Sequence, residues 1–235
     1  MFGLKKIKGL ISEGTIKYIP YQRSAASERP SLMKDIFSGI YRTAAWGDPE
    51  SVSGPGSSVR ATSVFRDEIP KVLRDLNARS LLDAPCGDFN WMKELRLDLK
   101  SYTGVDIVPE LVERNRRDYG GPGRAFLNLD ITIDRLPRAD VILCRDCLVH
   151  FSLEDARAAI RNFKKSKARY LLTTTFTGFR EYTDISTGEW RPMNLQLAPF
   201  NFPPPMKLID EKCTHSGGVY TDKCLGLWRL DAVKV

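Results

Sequence analysis

The stretch Ser80-Leu-Leu-Asp-Ala-Pro-Cys-Gly-Asp-Phe-Asn-Trp91 decides the fold of this chain. Its short apolar run ends at Asp83, and a tight turn of small residues around Gly87 follows before a predicted helix. A second apolar run, Tyr102-Thr-Gly-Val-Asp-Ile107, places Asp106 nineteen residues after Gly87. Two strand ends that each carry a carboxylate at this spacing suit an adenosyl ligand, because the second carboxylate accepts hydrogen bonds from ribose hydroxyls.

The single glycine of this turn argues against a nicotinamide-binding fold. That fingerprint is Gly-x-Gly-x-x-Gly, whose further glycines let the backbone approach a pyrophosphate. Here Pro85 and Phe89 flank Gly87 instead. The turn therefore predicts a ligand-binding loop without a pyrophosphate cradle, where Gly87 admits the ligand because it has no Cβ.

Length and composition indicate one domain with a sizeable core. The chain has 235 residues, is 42% hydrophobic, and carries a formal net charge of +7. Such a charge permits acidic partners, including nucleotide-linked sugars, anionic glycans, nucleic acid and lipid headgroups. No apolar run reaches the roughly 18 residues of a membrane span, and lysines interrupt residues 1–11 too often for a signal-peptide core. We therefore expect a soluble, cytoplasmic protein.

The cysteines favour reduced thiols over a disulfide framework. Five are scattered through apparent core segments, which fits an intracellular protein. Cys144-Arg-Asp-Cys147 has the spacing of half a zinc site, but no second pair completes it. We interpret it as two small thiols at a strand end.

Residues 1–43 are predicted to form an N-terminal helical appendage to a domain at 44–235. Apolar residues in 2–11 fall at helical spacing opposite lysines, which predicts a short amphipathic helix. The favoured interpretation is a cap that packs on its own domain. The alternative is a helix that contacts a membrane surface or a partner.

Residues 46–60 form a Gly-, Pro- and Ser-rich stretch that predicts an ordered loop, since Trp46, Glu50 and Arg60 are unusual in a linker. Ser57 or Ser58 caps the predicted next helix. The backbone amides of the loop and of the helix start, together with Arg60, suit a ligand carboxylate. The alternative is a plain surface loop. The apolar face of that helix is Val64, Phe65, Ile69, Val72, Leu73 and Leu76, with Pro70 as a kink.

From residue 80 the chain alternates apolar runs with helical segments. The predicted strands are a run ending at Asp83, then 102–107, 125–130, 139–144, 168–175, 206–211 and 223–230, and helices are predicted at 109–119 and, after a Ser152 cap, to about 164. This order predicts an α/β, Rossmann-like, doubly wound seven-stranded sheet that is mostly parallel and ends in an antiparallel hairpin. Ligand sites in such sheets lie at the carboxyl ends of the strands. Asp83, Asp106, Asp130 and Asp146 all fall at or just beyond such ends.

A lid or substrate insertion is predicted at 176–205, because this stretch is long, aromatic and stiffened by prolines. Its candidate substrate-binding side chains are Arg180, Glu181, Tyr182, Trp190 and Arg191. Aromatic rings suit the faces of sugars, and arginine suits carboxylate or phosphate. The alternative is that these side chains pack the loop onto the domain.

With this order in view, residues 44–231 resemble the class I S-adenosylmethionine-dependent methyltransferases. Residues 83–89 resemble motif I, usually Asp/Glu-x-Gly-x-Gly-x-Gly, with two of the three glycines missing, and Asp106 resembles the acidic residue of motif II. Trp46, the 50–58 loop, Asn201-Phe-Pro-Pro-Pro205 and Asp222-Lys-Cys-Leu-Gly-Leu-Trp228 resemble small bacterial and viral sugar O-methyltransferases.

The resemblance implies S-adenosylmethionine as cofactor and a glycan or small-molecule acceptor. By position, Asp83, Ala84, Pro85, Cys86 and Gly87 would cradle the methionine moiety, Asp106 with Ile107 the ribose, and Asp130 with Ile131 the adenine. Arg145 and Asp146 would lie beside the sulfonium, and Arg60 and Trp91 complete the predicted cofactor residues.

Methyl transfer to a sugar hydroxyl requires a base, because the hydroxyl is a poor nucleophile at neutral pH. His150, with an ordinary pKa near 6.5, is one candidate, and Asp146 is the other. A histidine packed under the next helix is the alternative for His150. Asp146 with Asp130 or Glu50 also suits a divalent metal.

Three rival functions stay open. An enzyme that methylates nucleobase amino groups would carry Asn/Asp-Pro-Pro-Tyr where this chain has Cys144-Arg-Asp-Cys147, which argues against it. A ribose 2′-O-methyltransferase of RNA is harder to exclude, although no lysine lies near Asp146 in sequence. The third rival is a non-catalytic relative that binds the cofactor.

Overall fold

The structure is a computed structural model that describes residues 29–178, 183–214 and 218–234. The predicted amphipathic helix at 2–11 lies outside the described residues, as do Arg180, Glu181 and Tyr182. Among the residues described, no helix has the length and apolar character needed to cross a membrane.

Seven strands form one sheet in the order β3-β2-β1-β4-β5-β7-β6. The strands are β1 Ser80–Asp83, β2 Ser101–Asp106, β3 Arg124–Asn128, β4 Val141–Cys144, β5 Tyr170–Phe176, β6 Lys207–Asp210 and β7 Lys223–Arg229. The first five are parallel, and β7 runs antiparallel to both β5 and β6. The predicted seven-stranded sheet with a terminal antiparallel hairpin is confirmed.

In the part of the chain that the structure describes, five α-helices accompany the sheet: α1 Arg29–Arg42, α2 Ser63–Arg66, α3 Glu68–Asp75, α4 Pro109–Tyr119 and α5 Leu153–Lys165. The bounds predicted for α4 are confirmed, and its start is set by Pro109, whose fixed φ and missing N–H suit the first turn. At α5 the Ser152 hydroxyl accepts a hydrogen bond from the Asp155 backbone, which confirms the predicted cap.

The helix predicted after the Gly87 turn is wrong. A single 3-10 turn at Met92–Glu94 stands there, followed by an irregular segment that leads to β2. Leu95, Leu97 and Leu99 alternate with polar residues and pack against a hydrophobic cluster. Their period of two does not form the continuous apolar stripe that a helix needs.

The helix predicted after residue 58 is also divided. Its two parts, α2 and α3, meet at Asp67, and Pro70 lies in the first turn of α3, where a missing N–H is tolerated. Val64 is 44% exposed, so its assignment to the apolar face is wrong. Phe65, Ile69 and Val72 are buried as predicted.

Two hydrophobic clusters cover the two faces of the sheet. Leu82 and Ile142 belong to one cluster, together with residues of α5. Their strand neighbours Leu81 and Leu143 belong to the other, together with α3. Alternate residues of each strand are therefore buried on opposite faces of the sheet. Because the first five strands are parallel, their carboxyl ends lie together at one edge. Helix α1, within the predicted appendage, packs Met33 and Phe37 against the first cluster.

Candidate active site

A cavity that is partly open to solvent lies at the carboxyl edge of the parallel strands. This is the edge where α/β sheets bind ligands. The predicted residues that line it are Asp83, Pro85, Cys86, Gly87, Trp91, Asp106, Ile107, Asp130, Ile131, Arg145, Asp146 and His150. Apolar residues of α1 and the loop after it close one side, namely Met33, Phe37, Ile40, Tyr41 and Trp46.

The loop at 50–58 is fastened directly onto the Gly87 turn. The Asp88 carboxylate accepts hydrogen bonds from the Ser51 hydroxyl and the Val52 backbone, both at 2.9 Å. In return, the Asp88 backbone donates to Ser53 Oγ at 3.1 Å. This exchange makes the 50–58 loop a part of the cavity wall.

Gly87 is required by this loop as well as by the turn. Its φ of +54° lies in the left-handed region. A Cβ built on Gly87 would overlap Ser53 Oγ and lie 3.2 Å from Ser53 Cβ. The predicted reason for this glycine was close approach of a ligand, whereas the atoms that require it belong to the 50–58 loop.

Phe89 stands at the third glycine position of the motif I pattern and keeps the glycine-like backbone, with φ of +59°. Its ring is buried and lies 5.1 to 5.3 Å from the rings of Tyr102, Tyr119 and Phe126. The Arg124 guanidinium lies 5.3 Å from the same ring. This packing offsets the roughly 1–2 kcal/mol that left-handed backbone costs a residue with a side chain.

Asp106 is held at the cavity by two backbone N–H groups. Gly87 donates to one carboxylate oxygen and Val108 to the other, each at 3.0 Å. Burial raises the pKa of Asp106 to about 6, against the opposing effect of these hydrogen bonds. Each oxygen keeps a further acceptor position, so the carboxylate can still receive the hydroxyls of a ribose.

Asp83 and Asp130 are two further buried carboxylates of the wall, besides Asp106 and Asp88. Burial raises the pKa of Asp83 to about 7, although the Tyr102 hydroxyl donates to it at 2.6 Å. Asp130 accepts from the backbone and hydroxyl of Thr132, and burial raises its pKa as well. These two groups are acceptors held in fixed orientation.

Four charged side chains, Arg145, Asp146, Glu211 and Lys223, form a mostly buried ion quartet behind the cavity. Arg145 donates two hydrogen bonds to Glu211, at 3.1 and 2.8 Å, and its Nη1 lies 3.2 Å from Asp146 Oδ2. Lys223 Nζ lies 2.6 Å from Asp146 Oδ2 and 3.2 Å from Glu211 Oε2. Two cations thus balance two carboxylates, which a buried charge requires.

This quartet sets the protonation state of Asp146. Burial alone would raise the pKa of Asp146, but Arg145 and Lys223 outweigh it and hold the pKa well below its ordinary value. An acid with so low a pKa is a poor proton acceptor at neutral pH. Two cations at this carboxylate also disfavour a divalent metal ion there.

His150 lines the cavity in a single tautomer. Its Nδ1 lies 2.9 Å from the Glu189 carbonyl oxygen, and because a carbonyl only accepts, Nδ1 carries the proton. Nε2 is then the nitrogen with a free lone pair. Burial lowers the pKa of His150, so the imidazole is neutral at pH 7. The predicted alternative, a histidine packed under the next helix, does not agree with its place in the cavity wall.

Two backbone hydrogen bonds also hold the segment at 186–191 against His150 and the residue before it. The Gly188 backbone donates to the His150 carbonyl at 2.8 Å, and the Arg191 backbone donates to Val149. The Trp46 indole lies against the imidazole, with the ring centroids 4.8 Å apart. The ring of His150 is therefore fixed in place before any ligand binds.

Five predicted site residues lie outside the cavity wall, and one of them is Ala84, which is buried in the first hydrophobic cluster. Arg60 is exposed, and the Glu50 carboxylate accepts from Val59 and Asn90, so Glu50 fastens the loop. Trp190 is 40% exposed and packs on Tyr220, while Arg191 is buried and donates to the Phe151 carbonyl. Arg180 and Tyr182 lie outside the described residues.

Trp91 contacts the quartet through the guanidinium of Arg145. The Arg145 guanidinium lies 4.4 Å from the Phe65 ring centroid and 5.8 Å from that of Trp91. These ring faces stabilise a buried cation. Trp91 therefore contacts the cavity and also orients Arg145.

Within the described ranges, no group of three or more His, Cys, Asp and Glu side chains could hold a metal ion. The Cys144 and Cys147 thiols are both buried and free. Asp146 is occupied by its cations and Glu50 by the loop, so the predicted pairings with Asp130 or Glu50 lack the donor set of a metal site.

Sequence reasoning missed Ser53, Glu211, Lys223 and the inner face of α1. Glu211 follows β6 and Lys223 begins β7. The pairing of β6 with β7 and of β7 with β5 brings both residues to Asp146, which no local pattern reveals. A signal for α1 existed, because Met33, Phe37 and Ile40 recur at spacings of four and three. Ser53 carried no signal beyond the loop composition.

Comparisons with known proteins agree with this geometry. Residues 82–167 match a family model described as a methyltransferase domain. Among solved structures, the chain is similar to the 1,6-didemethyltoxoflavin-N1-methyltransferase of Burkholderia thailandensis with bound 1,6-didemethyltoxoflavin and S-adenosylhomocysteine. The identity is 16% and the TM-score 0.58, with 90% of this chain and 92% of that chain covered.

A second similar structure is the N-methyltransferase NodS from Bradyrhizobium japonicum WM9. The identity is 16% and the TM-score 0.50, with 70% of this chain and 96% of that chain covered. No curated protein matches the chain. The matched family segment runs from β1 to the end of α5 and carries Asp106 and His150. As predicted, residues 82–167 match a methyltransferase domain, and the two solved structures share the fold of the chain.

Proposed function

We propose that this methyltransferase transfers the methyl group to a hydroxyl oxygen of a sugar, with His150 as the general base. The observation that carries the proposal is the hydrogen bond from His150 Nδ1 to the Glu189 carbonyl oxygen. It leaves a neutral imidazole with an available Nε2 in the cavity wall. A hydroxyl acceptor needs such a proton acceptor during its attack.

The residues of the cavity fit S-adenosylmethionine. Asp106 keeps acceptor capacity for ribose hydroxyls, and Ile107, Leu129 and Ile131 line the cavity as an apolar slot for a planar base. Asp130 lies beside that slot and suits an amino group. When bound, this cofactor supplies a methyl group activated by sulfonium, and the protein contributes orientation and exclusion of water.

The protein's own part in the chemistry divides between His150 and Asp146. His150 accepts the proton of the acceptor hydroxyl at Nε2, while Nδ1–H stays on the Glu189 carbonyl. Asp146 stays ionised, and its charge raises the pKa of His150 against the effect of burial, so it stabilises the imidazolium that forms. Among the described residues, Asp146 Oδ1 has one hydrogen-bond contact, at 3.4 Å from Thr174 Oγ1, and it can accept from a second hydroxyl of the acceptor.

A sugar is favoured because the wall combines aromatic rings with a charged acceptor. Trp46 and Phe151 provide ring surface to the C–H faces of a sugar, and Asp146 accepts from its hydroxyls. The same wall favours a second candidate, a planar aromatic alcohol or heterocycle, because it presents two neighbouring aromatic rings. The ring centroids of Phe37 and Trp46 are 6.3 Å apart. Both candidates use His150 in the same way.

The test measures release of S-adenosylhomocysteine with nucleotide-linked sugars, free glycans, and planar phenols and heterocycles, each with and without a chelator. His150→Asn is the matched variant, because its side-chain amide can keep the hydrogen bond to the Glu189 carbonyl while offering no base. We expect turnover with a sugar, and a fall in kcat of about 10²–10⁴-fold in the variant.

The controls separate chemistry from folding. His150→Asn should bind S-adenosylhomocysteine and unfold in denaturant like the wild type. The acid limb of the wild-type pH profile of kcat/KM should have its midpoint below 6.5, because burial lowers the pKa of His150. Turnover with planar heterocycles and none with sugars would overturn the sugar assignment. Full activity in the variant would overturn the role of His150.

A further inference from the structure

Lys223 is a nearly buried lysine that does not line the cavity. It is the first residue of β7, its side chain is 10% exposed, and its Nζ makes the 2.6 Å contact with Asp146 and the 3.2 Å contact with Glu211. Burying a lysine is costly unless it is paired. The family match ends at residue 167 and does not include Lys223.

The terminal hairpin delivers this lysine by its register. Lys223 pairs with Phe176, the last residue of β5, and Lys223 accepts a backbone hydrogen bond from Glu211 at 3.1 Å. Both charged side chains therefore reach the carboxyl edge of the parallel strands, where Asp146 follows β4. The backbone of Asp146 is itself fixed there, because it donates to Thr174 Oγ1 at 2.8 Å.

Charge balance makes the two cations unequal partners of Asp146. Arg145 directs Nε and Nη2 to Glu211 and reaches Asp146 only with Nη1, at 3.2 Å. Lys223 makes the shorter contact with the same carboxylate oxygen. Loss of the lysine would leave Asp146 ionised beside Arg145 but without its shorter contact, so the carboxylate would no longer be held in one position.

We propose that Lys223 is a positioning residue for the reaction: it fixes the Asp146 carboxylate at the cavity wall and offsets part of the negative charge that His150 meets. This inference rests on the proposed function only in its effect on turnover. The effect of Lys223 on His150 exists whatever the acceptor is.

The groups that contact His150 or act on its charge come from four parts of the chain. Asp146 follows β4 and Lys223 begins β7, and these two act on the imidazole with opposite sign. The segment at 186–191 contributes the Glu189 carbonyl, while the Glu189 carboxylate is turned to the Ser186 backbone. The loop after α1 contributes the neutral Trp46 ring. Removal of the Lys223 cation therefore raises the pKa of His150.

The experiment compares Lys223→Met, Lys223→Gln and Lys223→Arg with Lys207→Met. Lys207 lies on the same hairpin and pairs with Glu68 at the surface, with its side chain 38% exposed, so it is the matched control. Titration of the two histidine imidazoles by NMR gives the pKa of His150 directly, with His150→Asn used to assign its signal. The pH profile of kcat/KM gives the effect on turnover.

We expect a higher pKa of His150 in Lys223→Met and Lys223→Gln, near-wild-type values in Lys223→Arg, and no change in Lys207→Met. The kcat of the two neutral variants should fall on the order of 10²-fold, since displaced catalytic groups cost about that much. Affinity for S-adenosylhomocysteine should stay the same, because Lys223 does not line the cavity.

The outcomes distinguish the two proposals. An unchanged pKa of His150 in folded Lys223→Gln would overturn the role of Lys223, whether or not sugars are methylated. A raised pKa with no turnover of any sugar by the wild type would uphold the charge coupling and count against the proposed function. The more conservative Lys223→Gln keeps the test usable if Lys223→Met does not fold.

Discussion

Substitution of Gly87 by alanine tests whether the 50–58 loop is a fixed part of the site. Two physical effects act at this position. The residue has a φ of +54°, and the added Cβ would overlap Ser53 Oγ. Ser53 Oγ accepts a hydrogen bond from the Asp88 backbone at 3.1 Å, so moving it breaks the contact that fastens the loop.

The two effects have separate magnitudes. Left-handed backbone costs a residue with a Cβ about 1–2 kcal/mol. Loss of the Ser53 hydrogen bond costs about 0.5–1.5 kcal/mol. Gly87→Ala should therefore lower the free energy of unfolding by about 1.5–3.5 kcal/mol.

A double-mutant cycle with Ser53→Ala separates the backbone effect from the overlap. Ser53→Ala alone should cost about 1 kcal/mol, and the double variant should lose about 1 kcal/mol less than the sum of the single losses, because the overlapping atom is gone. Denaturant unfolding measures all four proteins, and calorimetry with S-adenosylhomocysteine reports the cavity. Additive effects in the cycle would refute the overlap, and a Gly87→Ala variant as stable as the wild type would refute both effects.

Two further substitutions test the remaining strained and buried groups. Phe89→Gly should be more stable than Phe89→Ala by about 1 kcal/mol in denaturant unfolding, because glycine relieves the φ of +59°, and the reverse order would contradict the strain. In Asp83→Asn, the free energy of unfolding should decrease less with rising pH than it does in the wild type. The raised pKa of Asp83 makes its contribution full below the ordinary value of 3.8 and lost as pH rises through about 7. A wild-type pH dependence in folded Asp83→Asn would contradict this.

The sheet could be predicted because its signals are local. Each parallel strand is a short apolar run closed by turn residues, and carboxylates at Asp83 and Asp106 mark the ends of two of them. The αβ alternation then leaves few topologies. The helix expected after Gly87 failed because the leucines at 95–99 repeat every second residue, and the family pattern outweighed that period.

The chemistry of the site could be predicted only in part. His150 and Asp146 follow β4, so their place at the edge follows from the topology. Their states do not, because the Glu189 carbonyl and Lys223 set them, and these lie 39 and 77 residues away in the chain. Charge pairing across such separations depends on strand register, which the sequence pattern of one strand does not determine.

Arg60 and Glu50 show the limit of reading a loop by composition. Arginine suits a ligand carboxylate, and glutamate suits the hydroxyls of an acceptor. Residues of the loop do line the cavity. The loop's direction turns Glu50 to the Val59 and Asn90 nitrogens and leaves Arg60 exposed. The small Ser53 is the residue that shapes the turn.

The most direct test of the account is calorimetric titration of the purified chain with S-adenosylhomocysteine. The comparison uses Asp106→Ala and, as matched control, Asp118→Ala, whose carboxylate pairs with Arg117 at the surface of α4. The account predicts a dissociation constant on the order of micromolar for the wild type and the control. It predicts affinity at least about tenfold weaker for Asp106→Ala, because hydrogen bonds to a charged group are lost. No heat from folded wild-type protein, or equal affinity in Asp106→Ala, would contradict it.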